Sequence, residues 1–176
     1  MAGGERIPVA RVRSTHAARR ELRLEMMKGF VWPETPPERL RFEGPGAPKR
    51  PLKVENARDC AGGAIIAFPP GVPRDVLGPM EGARLMVEEQ AAGAFCAGGW
   101  YVAAWLGFAV VDDAGHPLGR ITEVWEGPAN AAFTVEDEAH GTMTLPAIDA
   151  VVLDVDPDTE VVRVGDVEPF AVRDAD

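Results

Sequence analysis

The chain is short of the residues that most often carry out chemistry. Its 176 residues include two cysteines, three histidines and one serine, Ser14. Ser14 has no G-x-S-x-G context, Cys60 and Cys96 have no C-x-x-C spacing, and the sequence contains no glycine-rich phosphate loop. We therefore expect a protein that is not an enzyme, has no catalytic residue and no cofactor, and keeps its thiols reduced.

The sequence also lacks a metal-binding framework. Asp154, Asp156 and Asp158 alternate as at the start of a calcium-binding loop, but Thr159 and Gly165 occupy the positions where such a loop requires glycine and glutamate. The same alternation is typical of the exposed face of a strand that enters a turn. We expect no metal site.

Long helical patterns are absent because 19 glycines and 16 prolines interrupt the chain. Short apolar or alternating segments predict about six strands in residues 1–88 and five or six in residues 100–176, while residues 89–99 are rich in alanine and glycine and predict a linker. The expected fold is all-β, with two small β-barrels joined by that linker. The segments predicted in the first barrel are strands at 7–13, 21–27, 39–43, 51–58, 64–68 and 83–87 and a short helix at 74–80.

Residues 91–111 contain no charged side chain and are long enough to suggest a membrane span. Four glycines interrupt this stretch, and acidic pairs flank it at both ends. We interpret it instead as the linker running into a buried strand. Because the first residues also lack the apolar core of a signal peptide, we expect a cytoplasmic protein.

Positive and negative charges are distributed unequally along the chain. Residues 1–90 contain 15 Lys and Arg against 12 Asp and Glu, for a net charge of +3. Residues 91–176 contain 3 against 16, for a net charge of −13. Such asymmetry indicates two different partners, one polyanionic and one basic.

The positive charge is concentrated in a predicted hairpin formed by strands 7–13 and 21–27 and the loop 14–20. Residues 6–23 carry six arginines and one glutamate, for a net charge of +5. Arginine forks suit phosphate groups, so this hairpin is a candidate RNA-binding site, although an ordinary solvated surface remains the alternative. The candidate RNA-contact residues are Arg11, Arg13, His16, Arg19, Arg20 and Arg23.

Most of the large aromatic residues lie in the second half. Trp100 and Tyr101 are adjacent, so on a predicted strand they would point to opposite faces, and an exposed one could anchor a protein partner. Burial of both is the alternative. Further on, strands at 108–111 and 118–125 flank a turn at 112–115, and Gly119 inside the second strand predicts a bulge or a close backbone approach. The second strand is predicted to alternate, with Leu118, Arg120, Thr122 and Val124 on one face and Gly119, Ile121, Glu123 and Trp125 on the other.

These features together resemble the ribosome maturation factor family RimM, over almost the whole chain. The segments WYVAAWLGFAVVDDAGHPLGRITEVWEGPANAAFTV and TLPAIDAVVLDVD are similar to the PRC-barrel domain of that family. The aromatic pair of the family falls on Trp100 and Tyr101, and its glycines fall on Gly107, Gly115 and Gly119. The first half is similar to the N-terminal barrel, with the family's H-G-x-R-G loop at residues 16–20. Both glycines of that loop are replaced, by Ala17 and Arg20, and the aspartate after the aromatic pair is Ala104.

The resemblance implies an assembly chaperone of the ribosome. A member would bind the immature small (30S) subunit, aid maturation of its head domain and processing of 16S rRNA, and contact small-subunit ribosomal protein nineteen. The expected contacts with that basic protein are Trp100, Tyr101 and Trp105, and the expected rRNA contacts are the arginines and histidine of the hairpin. We expect a monomer that does not bind membranes. The alternative is a PRC-barrel adaptor for a basic protein outside the ribosome.

Overall fold

Strands dominate the computed structural model, which describes residues 4–127, 129–139 and 141–173. The chain divides into an N-terminal unit, Met1–Cys96, and a C-terminal unit, Ala97–Asp176. The break falls within the segment 89–99 that the sequence predicts as a linker. In that segment the chain forms short 3-10 turns, Glu89–Phe95 and Ala97–Gly99, and Phe95 is buried.

Seven strands form the sheet of the N-terminal unit between residues 4 and 96. They are β1 (Arg6–His16), β2 (Glu21–Met26), β3 (Arg39–Glu43), β4 (Leu52–Lys53), β5 (Asn56–Cys60), β6 (Gly63–Ala67) and β7 (Arg84–Glu88). Their spatial order is β4-β3-β7-β1-β2-β6-β5, with every pair antiparallel. One short helix, α1 (Arg74–Leu77), is followed by a 3-10 turn, Gly78–Met80.

This sheet must curl because its two edge strands are neighbours in the chain. Only Val54 and Glu55 separate β4 from β5, and an extended residue spans at most about 3.6 Å. The Val54 amide donates to the Glu38 carbonyl and the Glu55 amide donates to the Ala67 carbonyl, each at 2.9 Å. The first bond extends the pairing of β4 with β3 and the second extends the pairing of β5 with β6, so residues 54 and 55 hold the two edges of the sheet next to each other, and the predicted barrel is confirmed.

The N-terminal core follows the alternation of its strands. In β2, Leu22 and Leu24 are buried while Arg23 between them is exposed. In β3, Leu40 and Phe42 alternate in the same way. These strands therefore have an outer face for polar residues, and the outer face of β1 and β2 carries Arg11, Arg13 and Arg23.

Three sequence predictions for this unit differ from the structure. The first strand continues to His16, so the predicted loop 14–20 is reduced to a short turn. The predicted strand 51–58 is split in two by barrel closure, which makes seven strands instead of six. The connection between the predicted strands 51–58 and 64–68 is reduced to residues 61 and 62, because β5 pairs with β6 as far as Cys60 and Gly63.

The C-terminal unit also has seven strands within its described residues. They are β8 (Ala109–Val111), β9 (Pro117–Trp125), β10 (Ala132–Asp137), β11 (Gly141–Pro146), β12 (Val152–Asp156), β13 (Val161–Val164) and β14 (Val172–Arg173). The spatial order is β12-β13-β8-β9-β10-β11-β14, in which only β13 and β8 are parallel. Strands β8 to β13 each bury at least one residue in a single apolar cluster. One sheet therefore wraps around one core, as expected of a second barrel.

The predicted hairpin of this unit is confirmed. Strands β8 and β9 are antiparallel, and the Asp112 amide donates to the His116 carbonyl at 2.9 Å. Gly119 has φ of 132°, and a Cβ at this position would clash with the Glu136 carbonyl. The close backbone approach predicted at Gly119 is therefore present.

Two predictions for the C-terminal unit were wrong. Strict alternation in β9 fails because the register with β10 shifts between Ile121 and Glu123, so that Ile121 is buried, Val124 packs against the core and Trp125 is exposed. Trp100 and Tyr101 are not on a strand: they precede a 3-10 turn, Val102–Trp105, and extended structure begins at β8. Among the described residues, no helix is long and apolar enough to cross a membrane.

Candidate functional site

The candidate RNA-binding surface lies on the outer face of β1 and β2. Arg23 of β2 is opposite Ser14 of β1, and Arg11 is opposite Glu25. A register shift between Val12 and Ser14 leaves Arg13 as an extra residue, and its side chain is exposed like that of Arg11. Local strand pairing therefore gathers three of the predicted arginines, all exposed, on one side of the sheet.

Nearby carboxylates reduce the positive charge of this surface. Arg13 lies 3.1 Å and Arg11 3.8 Å from the carboxylate of Glu25. Glu25 lies beyond residues 6–23, to which the net charge of +5 refers. Arg6 is directed elsewhere, to Glu88 at 2.9 Å and Glu43 at 3.5 Å. Exposed pairs of this kind contribute about 0–1 kcal/mol, so phosphate groups can compete for Arg11 and Arg13.

The loop between β1 and β2 divides its two arginines between different roles. Arg20 has φ of 52° and ψ of 44°, and its Nε donates to the Val72 carbonyl at 3.1 Å. This left-handed conformation is the one that glycine adopts most easily, and glycine is the residue at this position in the family that the sequence resembles. Arg19 is exposed and makes no ion pair within the described part of the chain. Of the two, Arg19 is therefore the one available to a ligand, while Arg20 ties the loop to residue 72.

Sequence reasoning missed one arginine of this surface. Arg58 of β5 and Arg23 of β2 are both opposite Ile65 of β6, one on each side, so all three share the outer face. Arg58 is exposed and lies 3.3 Å from the carboxylate of Glu21. The alternation of residues 52–58 indicates that Arg58 lies on the outer face of its strand. Only the pairing of β5 with β6, which the sequence does not show, brings Arg58 close to the hairpin. We call the outer surface formed by Arg11, Arg13, His16, Arg19, Arg23 and Arg58 the basic face.

The candidate protein-binding residues Trp100 and Trp105 form a stack that extends from the core toward the surface. Trp105 is 4% exposed and packs edge-on against Phe133 of β10, with ring centroids 5.5 Å apart. Trp100 packs edge-on against Trp105 at 5.8 Å and donates from its Nε1 to the Asp149 carboxylate at 3.2 Å. Trp100 and Tyr101 are half-buried. Trp105 can support a contact surface from below, and only the outer two rings can offer area to a partner.

Ala104 stands where the family that the sequence resembles has an aspartate after its aromatic pair. Its side chain packs against the core cluster of the C-terminal unit. An apolar residue suits that position, and the substitution removes a carboxylate from the vicinity of Trp105.

Two acidic residues of the C-terminal unit stabilise turns. The Asp112 carboxylate accepts from the His116 backbone amide at 2.8 Å and contacts the His116 ring at 3.0 Å, and these bonds hold the pKa of Asp112 below its ordinary value. The hydroxyl and the amide of Thr159, together with the Asp158 amide, likewise lower the pKa of Asp156. The alternating acids at 154–158 thus include one that caps its own turn.

The C-terminal unit identifies the class of protein. Residues 104–168 match the family model described as the RimM PRC barrel domain. Strands β8 to β13 of the curved sheet, including the β8–β9 hairpin and the required glycine at 119, lie within that match. The chain is therefore a PRC-barrel protein with an additional N-terminal barrel.

Comparison over the whole chain identifies the family. The chain is 30% identical over 165 residues to the ribosome maturation factor RimM of Moorella thermoacetica, a match that covers 91% of this chain and 94% of the relative. It is 24% identical over 155 residues to the RimM of Lacticaseibacillus casei, covering 86% and 87%. The chain belongs to the RimM family of ribosome maturation factors, which confirms the resemblance found in the sequence.

A solved structure is also similar. It is a 16S ribosomal RNA processing protein RimM from Pseudomonas aeruginosa, 18% identical, and the match covers 92% of this chain and 97% of that chain at a TM-score of 0.38. A superposition this loose transfers no residue role.

Proposed function

We propose that this protein is a non-catalytic chaperone of small-subunit assembly that binds the immature 30S particle in the cytoplasm as a monomer. Its C-terminal unit holds small-subunit ribosomal protein nineteen, and its N-terminal unit contacts 16S rRNA. One observation carries the proposal: opposite net charges, +3 and −13, belong to two units that each have their own sheet and core.

The basic face supports the RNA contact. Arg11 and Arg13 of β1 are one strand spacing, about 4.8 Å, from Arg23 of β2, and Arg58 of β5 is two spacings from Arg23, which is close enough for several of these side chains to reach successive phosphates of one nucleic-acid strand. Arg19 and Arg23 make no ion pair within the residues described and are the first to be available. If at most five phosphates are engaged, log K falls against log of the salt concentration with a slope of roughly −3 to −5.

The aromatic stack supports the protein contact. Trp100 and Tyr101 lie on a unit whose net charge is −13, so a basic partner is attracted before the rings make contact. The bond from Trp100 to Asp149 and its packing against Trp105 fix the ring before binding, which lowers the entropic cost of the complex.

Assembly is aided in this proposal without a chemical step. One arrangement of the RNA and the ribosomal protein is able to mature. The protein binds that arrangement more tightly than it binds other arrangements of the same components. The population shifts toward that arrangement by no more than the difference in affinity, and every tenfold difference corresponds to about 1.4 kcal/mol. Neither a nucleotide nor a cofactor is required.

Sedimentation of the tagged protein against immature and mature small subunits tests the proposal. We expect co-sedimentation with immature particles and loss of binding when Trp100→Ala is combined with Tyr101→Ala. Equal recovery with mature subunits, or capture of a single non-ribosomal basic protein from cell extract in place of the particles, would instead favour the PRC-barrel adaptor.

The basic face is tested separately by the salt dependence of rRNA binding. Arg19→Glu with Arg23→Glu should weaken binding and reduce the magnitude of the slope by about 2, because each lost phosphate contact removes roughly 0.9. Lys49→Glu with Arg50→Glu is the matched control, since it makes the same charge change in the exposed loop between β3 and β4. Equal effects of the two double variants would show that rRNA binding depends only on the net charge of the protein and not on the basic face.

A further inference from the structure

A second aromatic surface lies on the C-terminal unit, and none of the roles assigned above uses it. Trp125, the last residue of β9, is 53% exposed although it is a large aromatic residue. Its Nε1 donates to the Thr134 hydroxyl at 3.2 Å, and that hydroxyl is 3.1 Å from the hydroxyl of Thr144. The exposed indole is therefore held in a fixed orientation by a short chain of hydrogen bonds.

The residues around Trp125 make the surface apolar. Thr134 is only 5% exposed although it points away from the core, which we attribute to cover by the indole. Thr144 is opposite Thr134 on one side and Val172 of β14 on the other, and Val172 is 67% exposed. We call Trp125, Ala132, Thr134, Thr144 and Val172 the Trp125 surface.

This surface and the stack of Trp100 lie on opposite faces of one sheet. Phe133, which contacts Trp105, is buried in the core, whereas its neighbour Thr134 contacts Trp125 on the outer face. Successive residues of a strand point to opposite faces, so Trp125 packs on the face of β10 opposite to the one that supports Trp105.

Three carboxylates border the Trp125 surface. Glu123 is opposite Thr134, Glu136 follows Thr134 on the same face of β10, and Glu126 follows Trp125 in the chain; all three are exposed. Within the described residues none of the three forms an ion pair, and the guanidinium of Arg120, opposite Glu136, is instead bonded to the Gly107 carbonyl at 3.0 Å. An apolar centre with a negative border repels nucleic acid and favours a positively charged polypeptide.

We propose that the Trp125 surface binds a basic polypeptide segment that carries aliphatic side chains, with Trp125 as the central anchor and Glu123, Glu126 and Glu136 pairing with its lysines or arginines. The inference rests on the proposed function for the choice of a ribosomal partner and adds to it a second contact area on the same unit. The Trp125 surface then enlarges the binding interface of the chaperone beyond Trp100 and Tyr101.

A titration followed by the indole N–H signals tests this inference without ribosomes. The chain has four tryptophans, so a labelled sample of the full protein gives four such signals, and Trp125→Phe assigns that of Trp125. The probe is a twelve-residue peptide of alternating lysine and valine, and the control probe alternates glutamate and valine. We expect the Trp125 signal to move saturably with the basic peptide only. No movement, or equal movement with both peptides, overturns the inference.

Variants separate the anchor from the charge. Trp125→Ala should raise the Kd for the basic peptide on the order of 30-fold, as for an interface hot spot, while Trp125→Phe keeps an aromatic ring and should lose much less. Glu123→Gln, Glu126→Gln and Glu136→Gln combined should weaken binding and flatten its salt dependence. Asp113→Asn, Asp154→Asn and Asp158→Asn combined, an equal charge change elsewhere on this unit, should have a smaller effect. Equal effects of the two triple variants overturn the assignment of the acids.

Sedimentation with immature small subunits distinguishes this inference from the proposed function. Loss of binding by Trp125→Ala, with an unchanged unfolding temperature, supports both. Retention by Trp125→Ala together with loss by Trp100→Ala and Tyr101→Ala overturns the inference and leaves the proposed function standing. If the unaltered protein does not sediment with the particles, the proposed function fails, and the peptide titration still decides the inference.

Discussion

Replacement of Gly119 by alanine should destabilise the C-terminal unit more than any comparable change at a turn. Gly119 has φ of 132°, and an added Cβ would clash with the carbonyl carbon and oxygen of Glu136 and approach Val135 Cγ1 to 3.1 Å. Holding alanine in such a conformation costs about 1–3 kcal/mol. Forcing atoms into a packed site costs about 1–3 kcal/mol more.

Gly115 provides the matched control. It also has a positive φ, 89°, but an added Cβ there meets nothing within 4 Å. Gly115→Ala should therefore incur only the conformational cost. The difference between the two variants, about 1–3 kcal/mol, isolates the clash with strand β10.

Urea unfolding followed by tryptophan fluorescence measures this difference. Three of the four tryptophans lie in the C-terminal unit, and a Trp32→Phe background removes the fourth, so that the signal reports this unit alone. With a slope of about 1 kcal/mol per molar urea, the two midpoints should differ by about 1–3 M. Midpoints within about 0.5 M of each other would refute the claim that the backbone of β10 excludes a side chain at residue 119.

Three further predictions concern single side chains. Arg20→Ala should lower the free energy of unfolding of the N-terminal unit by about 1–3 kcal/mol, because the bond to the Val72 carbonyl is lost, whereas Arg19→Ala should change it by less than about 0.5; equal values in chemical denaturation would contradict this division. Trp105→Ala should cost about 3–5 kcal/mol in the same assay, since the ring is buried against Phe133, and a cost near zero would remove it from the core. The hydrogen bond from the His116 amide lowers the pKa of the Asp112 carboxyl. The stability that Asp112 contributes to the folded protein is therefore complete above the ordinary carboxyl pKa of about 3.9 and is lost as the pH falls through the pKa of Asp112 in the folded protein. A carbon NMR titration that gives an ordinary or raised pKa for Asp112 would contradict this.

The features that could be predicted from the sequence depend on residues close together in the chain. The turn at 112–115 and the close approach at Gly119 follow from aspartate and glycine chemistry, and both are present. The burial of Leu22 and Leu24 follows from simple alternation. In each case the neighbouring residues determine the conformation, so a single sequence carries the information.

The features that were missed depend on strand pairing or on irregularities. Arg58 joins the basic face only because β5 pairs with β6. The exposure of Trp125 follows from a register shift against β10, which interrupts the alternation that groups Trp125 with Ile121. The conformation of Trp100 depends on a 3-10 turn with no signature in its composition. Long-range contacts and bulges of this kind leave no periodic pattern in the sequence.

The pairing of the first and last strands of the N-terminal unit affects how the protein is made. Arg6 of β1 bonds to Glu88 of β7 across 82 residues, so the strand that begins this barrel finds one of its partners only near the end of the unit. A nascent chain cannot close the barrel until β7 has left the exit tunnel. Until then β1 and its arginines are outside the tunnel, close to the translating ribosome, without the partner strand β7. A pause in translation after β7 has cleared the tunnel would give the barrel time to form before the acidic half emerges.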